Sequence, residues 1–419
     1  MKAKIKYLLG ASIIFLLAGC AAQSPMDNKD ASSKGESSSG DYYTPSYRDT
    51  GSTSKTSSDT TNSESAQQNN NLPRAGQVTC SAIDDNSNYT YWNQLCNKNY
   101  GNNYDYGRFG SYVSPDFNAN NRLELNIING NNVKVSIKNS QSEAYVDNFH
   151  KAYLFPKTVA ANYDVEISYV DSNNQPQTVE KNVKDGDIID LEQTFTTSTN
   201  MQIMFVVDAT GSMSDEITYL QAEIDSIISK VKNANQQANI ELSILMYRDK
   251  ADEYLLRYSD FTADIDAQKT FLLAQKARGG GDFPEAVDEA FTVAMEKQWN
   301  EDATKLLIHV ADAPAHTEDL ARWNTAVFDA AAKGIKILTV GCSGINKQTE
   351  YYFRCQSIIT GGQYIYLTDN SGIGGSHLEA TTEHAMTVEY LNSCLVRIIT
   401  GYFKGIHINP VPYYQDNNA

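Results

Sequence analysis

From residue 200 to about residue 405 the chain alternates near-continuous apolar runs with segments of helical apolar spacing, and that rhythm leaves few folds open. The runs at 202–208, 239–248, 304–311, 335–342 and 363–368 have strand length and little polar alternation, the mark of strands buried on both faces. Segment 253–261 follows the second run closely enough to be its edge hairpin partner. Helical spacing holds at 215–233, 284–298, 319–333, 347–360 and 386–402. In the first of these, Ile217, Leu220, Ile224, Ile227, Ile228 and Val231 share one face. The alternation predicts an α/β domain over 197–405, a Rossmann-like, doubly wound and mostly parallel sheet with helices on both faces. Ligands of such folds sit outside the carboxyl ends of the strands.

Chemistry-bearing residues fall at those ends. Asp208-Ala209-Thr210-Gly211-Ser212 follows the first run, setting a carboxylate and two hydroxyls at alternate positions of one loop. Hard oxygens converging this way suit Mg²⁺, with Mn²⁺ or Ca²⁺ as alternatives. Gly279-Gly-Gly-Asp282-Phe-Pro-Glu285 and the run ending in Asp312 supply further carboxylates. Each piece alone has a structural reading. Asp208 could close an Asx turn, Ser212 or Ser214 could cap the helix before Glu216, Asp282 could cap the helix at Pro284, and Asp312 could turn the chain before Pro314. Their coincidence at corresponding strand ends favours a shared site. Arg248-Asp249 and His316 belong to the same rim, where a solvated loop role competes with a supporting one. His309, inside an apolar strand, reads as a hydrogen-bonded core histidine.

In this order the three motifs resemble the metal-ion-dependent adhesion site of von Willebrand factor type A domains, over roughly 200–370. The resemblance implies that Asp208, Thr210 and Ser212 form the DxSxS element, with threonine for its first serine. Asp282 stands where many members carry a metal-site threonine, and Asp312 matches the last acidic residue. It further implies an ion with one position left for a partner's Asp or Glu carboxylate. Asp282 makes the site more anionic, which strengthens cation binding and weakens attraction of an acidic partner. The function expected from this is a surface-tethered, divalent-cation-dependent protein-binding module for adhesion or assembly, and not an enzyme. A structural subunit of an envelope complex would use the same site with a fixed partner. An aspartyl-phosphate phosphohydrolase is the rival enzyme. Its Asp-Lys-Thr-Gly-Thr motif shares the Asp-x-Thr-Gly frame, but here the lysine and the later glycine-aspartate motif are missing. Gly341-Cys-Ser-Gly344 and Gly372-Ile-Gly-Gly375 match neither a hydrolase elbow nor a phosphate loop.

At its start the chain reads as a secretion signal over 1–19, with Lys2, Lys4 and Lys6 ahead of an apolar stretch from Tyr7 to Leu17 that is too short to span a bilayer. Leu17-Ala18-Gly19-Cys20 resembles the lipobox of bacterial lipoproteins, which implies cleavage before Cys20 and acyl chains on that cysteine; a plain signal peptide is the alternative. Ala21 is not the aspartate that retains Gram-negative lipoproteins at the inner membrane, so an outer-membrane location is expected if the organism is Gram-negative. Residues 20–75 are polar and low in large apolar side chains, a flexible tether with a reach of roughly 40 Å. Losing the leader's three lysines takes the formal charge from −17 to −20, which argues against a nucleic-acid partner.

Between 76 and 196 the runs 122–128, 132–138, 163–170 and 187–191 alternate apolar and polar residues between Asn-Gly, Asn-Ser and Asp-Gly turns. They predict a small all-β sandwich preceding the α/β domain, a spacer or contact surface, and 406–419 is left as a tail. Setting Cys20 aside leaves five cysteines, an odd number for an oxidising compartment. Cys80 and Cys96, close together where little core is expected, predict a bridge, while Cys342–Cys355 and Cys355–Cys394 stay open.

Overall fold

The computed structural model describes residues 74–97 and 108–416; the expected signal segment, Cys20 and nearly all of the expected tether lie outside them. The first described elements are strand β1 (Thr79–Ile83) and helix α1 (Tyr89–Cys96). Seven short strands follow: β2 (Leu123–Ile128), β3 (Asn131–Ile137), β4 (Glu143–Tyr145), β5 (Lys151–Leu154), β6 (Tyr163–Val170), β7 (Pro176–Val183) and β8 (Ile188–Asp190). The strand–helix series then runs β9 (Asn200–Asp208), α2 (Ser214–Ala234), β10 (Asn239–Tyr247), β11 (Leu256–Thr262), α3 (Ile265–Leu273) and α4 (Val287–Glu296). It ends with β12 (Ala303–Ala311), α5 (Leu320–Ala332), β13 (Ile335–Gly341), α6 (Lys347–Thr360), β14 (Tyr364–Leu367), β15 (Glu389–Tyr390) and α7 (Leu391–Lys404).

Eight strands form the main sheet in the order β11-β10-β9-β12-β13-β14-β1-β15. From β10 to β14 neighbours are parallel; β11, β1 and β15 pair antiparallel. Alternate residues of β9 face opposite cores, as strand geometry requires. Met204 and Val206 join Phe291, Trp323 and Phe353 on the side of α4, α5 and α6, while Ile203, Phe205 and Val207 join Ile224, Ile228 and Leu395 under α2 and α7. From β9 the chain steps to β10 on one side and later returns to β12 on the other. The carboxyl ends of β9 and β12 thus flank the switch point, where a crevice opens in sheets of this kind.

β1 corrects the expected domain boundary. Thr79–Ile83 pairs with β14 and β15, and Trp92 and Leu95 of α1 are buried in the same core as Phe353. The predicted β-rich domain over 76–196 therefore begins only at β2 and is inserted into the α/β domain rather than placed before it. Its strands form two sheets, β5-β2-β8 and β4-β3-β6-β7, over one core that includes Leu125, Ile127, Val135, Ile167 and Ile189. It docks at the amino ends of the main strands. Lys336, at the start of β13, pairs with Asp147 at 3.1 Å, and Asn148 Nδ2 donates to Thr304 Oγ1 at the start of β12.

The expected Cys80–Cys96 bridge is not formed, because β1 sends Cys80 into the core under α7 while α1 places Cys96 against the opposite face of the sheet.

Candidate metal centre

Asp208 ends β9 in register with Tyr247, and its carboxylate is fully buried. Its Oδ1 accepts from Thr210 N at 2.8 Å and Thr210 Oγ1 at 2.7 Å, closing the local turn on one oxygen only. Oδ2 is buried with no hydrogen-bond partner. Thr210 is buried, and its hydroxyl lies 3.2 Å from that of Ser212, which is exposed at the mouth. Burial first, and then the charge of Asp312, push Asp208 up to about 7. Asp312, one residue beyond β12, is buried beside it on the adjacent strand.

The third carboxylate is Glu285, not Asp282. Asp282 is exposed on its loop, while Glu285 is buried with Asp208 and Asp312 acting on it, so the structure turns Glu285 rather than this predicted residue into the cluster. Glu285 is buried, and its Oε2 has no partner. Its backbone bridges to Ala315 in the loop after Asp312, with Glu285 N donating to Pro314 O at 2.9 Å. Burial, followed by Asp208, Asp249 and Asp312, pushes Glu285 up to about 9. Glu285 closes the Gly279–Glu285 motif. The signal for it was the glycine run. Gly279 and Gly280 adopt φ of +83° and +75°, and a Cβ on Gly280 would stand 2.9 Å from Glu285 Oε1 and 3.2 Å from Thr210 Cβ. The loop folds flat against the Asp208 turn, with Gly211 N donating to Gly279 O at 2.9 Å.

Neighbouring side chains hold this arrangement. Arg248 is buried, and its Nε donates to Ala209 O at 3.1 Å and its Nη2 to Lys276 O at 2.8 Å, tying the two loops together. Asp252 Oδ2 accepts from Gly280 N and Asp249 N. His316 Nε2 lies 2.8 Å from Asp249 Oδ1, so this histidine supports the rim rather than standing in solvent. His309 is a core residue as its strand position implies, 3.0 Å from the Tyr247 hydroxyl and 2.9 Å from Gln356 Nε2. Burial pulls its imidazole down to about 3, so it stays neutral.

Among the described residues no group of three or more His, Cys, Asp or Glu side chains is arranged to hold an ion by itself. The oxygens here come from a mixed set, two aspartates and a glutamate together with the hydroxyls of Thr210 and Ser212. Buried carboxylate oxygens without donors, raised by one another's charge, fit a hard cation.

Residues 202–372 match the model of the von Willebrand factor A domain family. This segment is a von Willebrand factor A domain. The chain is 31% identical over 188 residues to a "putative ariadne-like RING finger protein" of Acanthamoeba polyphaga mimivirus, covering 40% of this chain and 18% of that one. It is 27% identical over 171 residues to the alpha-protein kinase vwkA of Dictyostelium discoideum, covering 40% of this chain and 27% of the kinase. The chain thus spans under a third of the length of either relative. Among solved structures, the conserved hypothetical protein BatB from Bacteroides thetaiotaomicron matches 51% of this chain and 93% of its own, at 15% identity and a TM-score of 0.27. An aerotolerance-related membrane protein from Bacteroides fragilis matches 51% and 92%, at 15% identity and a TM-score of 0.26.

Proposed function

We propose that this chain is a divalent-cation-dependent protein-binding module held at the bacterial cell envelope, acting by binding rather than by catalysis. The observation that carries this reading is the set of buried carboxylate oxygens on Asp208 and Glu285 that lack any donor, at the switch point of a von Willebrand factor A domain. Asp208, Thr210, Ser212, Glu285 and Asp312 are the residues that would hold Mg²⁺, or Mn²⁺ or Ca²⁺. When bound, the ion supplies an open coordination position for an Asp or Glu of the partner protein. Thr210 fixes Asp208 through two hydrogen bonds, leaving the other oxygen facing the cluster. Arg248 and Asp252 keep both loops in place, so binding needs little rearrangement. Acyl chains on Cys20 would provide the anchor, two or more chains being needed for stable attachment.

The test is thermal. Millimolar Mg²⁺ or Mn²⁺ added to chelator-treated protein raises its melting temperature, by RT ln(1 + [L]/Kd) in stability, and Asp208→Ala removes the rise while the fold persists. Equal metal responses in the two proteins would place the ion elsewhere. A partner captured from envelope extract in Mg²⁺ should be released by EDTA while circular dichroism stays native. Equal retention by folded, metal-free protein would overturn the adhesion reading.

A further inference from the structure

Four of the five described cysteines stand in two pairs, one linking β1 with α7 and one linking α1 with α6. Cys80 of β1 is fully buried opposite Glu389, in the core that also holds Leu391, Cys394 and Leu395 of α7. Of the side chains around the Cys80 thiol, Cys394 acts on it most strongly. Arg397 Nη2 lies 3.7 Å from Cys394 Sγ and 2.5 Å from Glu389 Oε2, closing one small cluster. On the other face of the sheet, the Trp92 ring of α1 stacks on Tyr351 of α6 at 5.7 Å and 10°. Cys96 and Cys355 each follow their aromatic by four residues, one helical turn on the same face. Both thiols act on the Tyr351 hydroxyl, and Cys96 acts on Cys355 directly.

We propose that the exported chain carries two disulfide bridges, Cys80–Cys394 and Cys96–Cys355. The proposal rests on the envelope reading for its oxidising compartment, but the pairing itself follows from the fold. The oxidant is the disulfide of a thiol–disulfide exchange catalyst. One cysteine thiolate attacks it to form a mixed disulfide, and the second displaces the catalyst's sulfur. Two S–H bonds are lost and one S–S bond forms, while the catalyst's S–S bond breaks and takes up the electron pair and two protons to leave as a dithiol. Burial pushes the Cys80 and Cys355 thiols well up and Cys96 up to about 12, so the closed fold disfavours attack and bridging belongs to folding. The bridges would fasten β1, whose partner β15 has only two residues, to α7, and α1 to α6.

Peptide mapping of the full chain without reductant, alkylated on unfolding, tests this. One sample is exported to an oxidising compartment and a second is refolded in vitro with oxidised glutathione and a disulfide isomerase. Cross-linked peptides joining Cys80 to Cys394 and Cys96 to Cys355, each lighter by two hydrogens than its separate parts, are expected in both. Bridges in the refolded sample alone would uphold the pairing and count against export instead. A Cys80–Cys96 peptide, or alkylation of all four thiols in the refolded sample, overturns the proposal. In Cys80→Ala, Cys394 should become alkylatable while Cys96–Cys355 persists, and release of Cys96 instead would equally overturn it. Should that variant fail to fold, the wild-type map decides alone.

Discussion

Glu285→Gln should make the metal-free protein more stable and its cation response weaker. The Glu285 carboxyl ordinarily titrates near 4.5, and burial among Asp208, Asp249 and Asp312 holds it at about 9. At pH 7 the unfolded chain ionises this group while the folded chain keeps its proton, which costs the folded state about 3 kcal/mol at ~1.4 kcal/mol per pH unit. The folded value is the raised one. The penalty is therefore absent below pH 4.5, grows as pH rises through neutrality and levels off near pH 9. Glutamine keeps the shape and cannot ionise, but its amide leaves polar atoms short of partners at a cost of about 1–3 kcal/mol. The net gain at pH 7 is about 1 kcal/mol, and it widens with pH. Melting curves of chelator-treated protein from pH 5 to pH 9 read this out. Wild type should lose stability across the range and the variant should follow a flatter line. With Mg²⁺ added the order of benefit reverses, because wild type holds the repulsion that a cation relieves. Parallel pH curves for the two proteins would refute the reasoning, and so would a less stable variant at pH 8.5.

Gly280→Ala forces a side chain into φ +75° against Glu285 and Thr210, and should cost about 1–2 kcal/mol and shrink the Mg²⁺-induced rise in melting temperature. Gly281→Ala, with nothing within 4 Å of its new Cβ, should change neither, and equal behaviour of the pair would count against the loop's role. Arg354→Met strands two buried carboxylates, because the guanidinium meets Asp85 at 2.5 and 2.8 Å and Glu350 at 3.0 Å. A loss of about 3–5 kcal/mol in denaturant unfolding is expected, and an unchanged midpoint would refute it. Cys20→Ser should shift the protein from the membrane to the soluble fraction or leave it unprocessed; fatty-acid labelling as strong as in wild type would rule out the anchor.

What the sequence made legible was whatever depends on local pattern. The runs that became β9, β10, β12, β13 and β14 are buried on both faces, so they read as unbroken apolar segments, and Asp208 and Asp312 could be placed at their ends. The identity of the third carboxylate was not legible. Asp282 and Glu285 lie three residues apart, and which one turns inward is decided by two positive-φ glycines and by a backbone bridge to Ala315, thirty residues on. β1 was hidden for a similar reason. Thr79–Ile83 shows no alternation, and its partners lie at 364–367 and 389–390, beyond the reach of any local window. α1 reads as a Tyr- and Asn-rich loop until Trp92 finds Tyr351.

β1 also changes how an anchor would act on the site. It runs antiparallel to β14, and Cys80 lies opposite Leu367, at the carboxyl end where β9 and β12 place Asp208 and Asp312. The chain therefore enters the sheet at the rim that carries the candidate site, held there by Glu223 accepting from Gly76 N and Gln77 N. The inserted sandwich sits at the other end, against Thr304 and Lys336. It cannot be an in-line spacer between an upstream anchor and the site, because the chain reaches the site's rim before it reaches the sandwich. Tension from such an anchor would load β1 directly. Its hold on the sheet is short, five residues of its own paired with four in β14 and two in β15. A covalent tie from that strand to α7 would reinforce this short pairing.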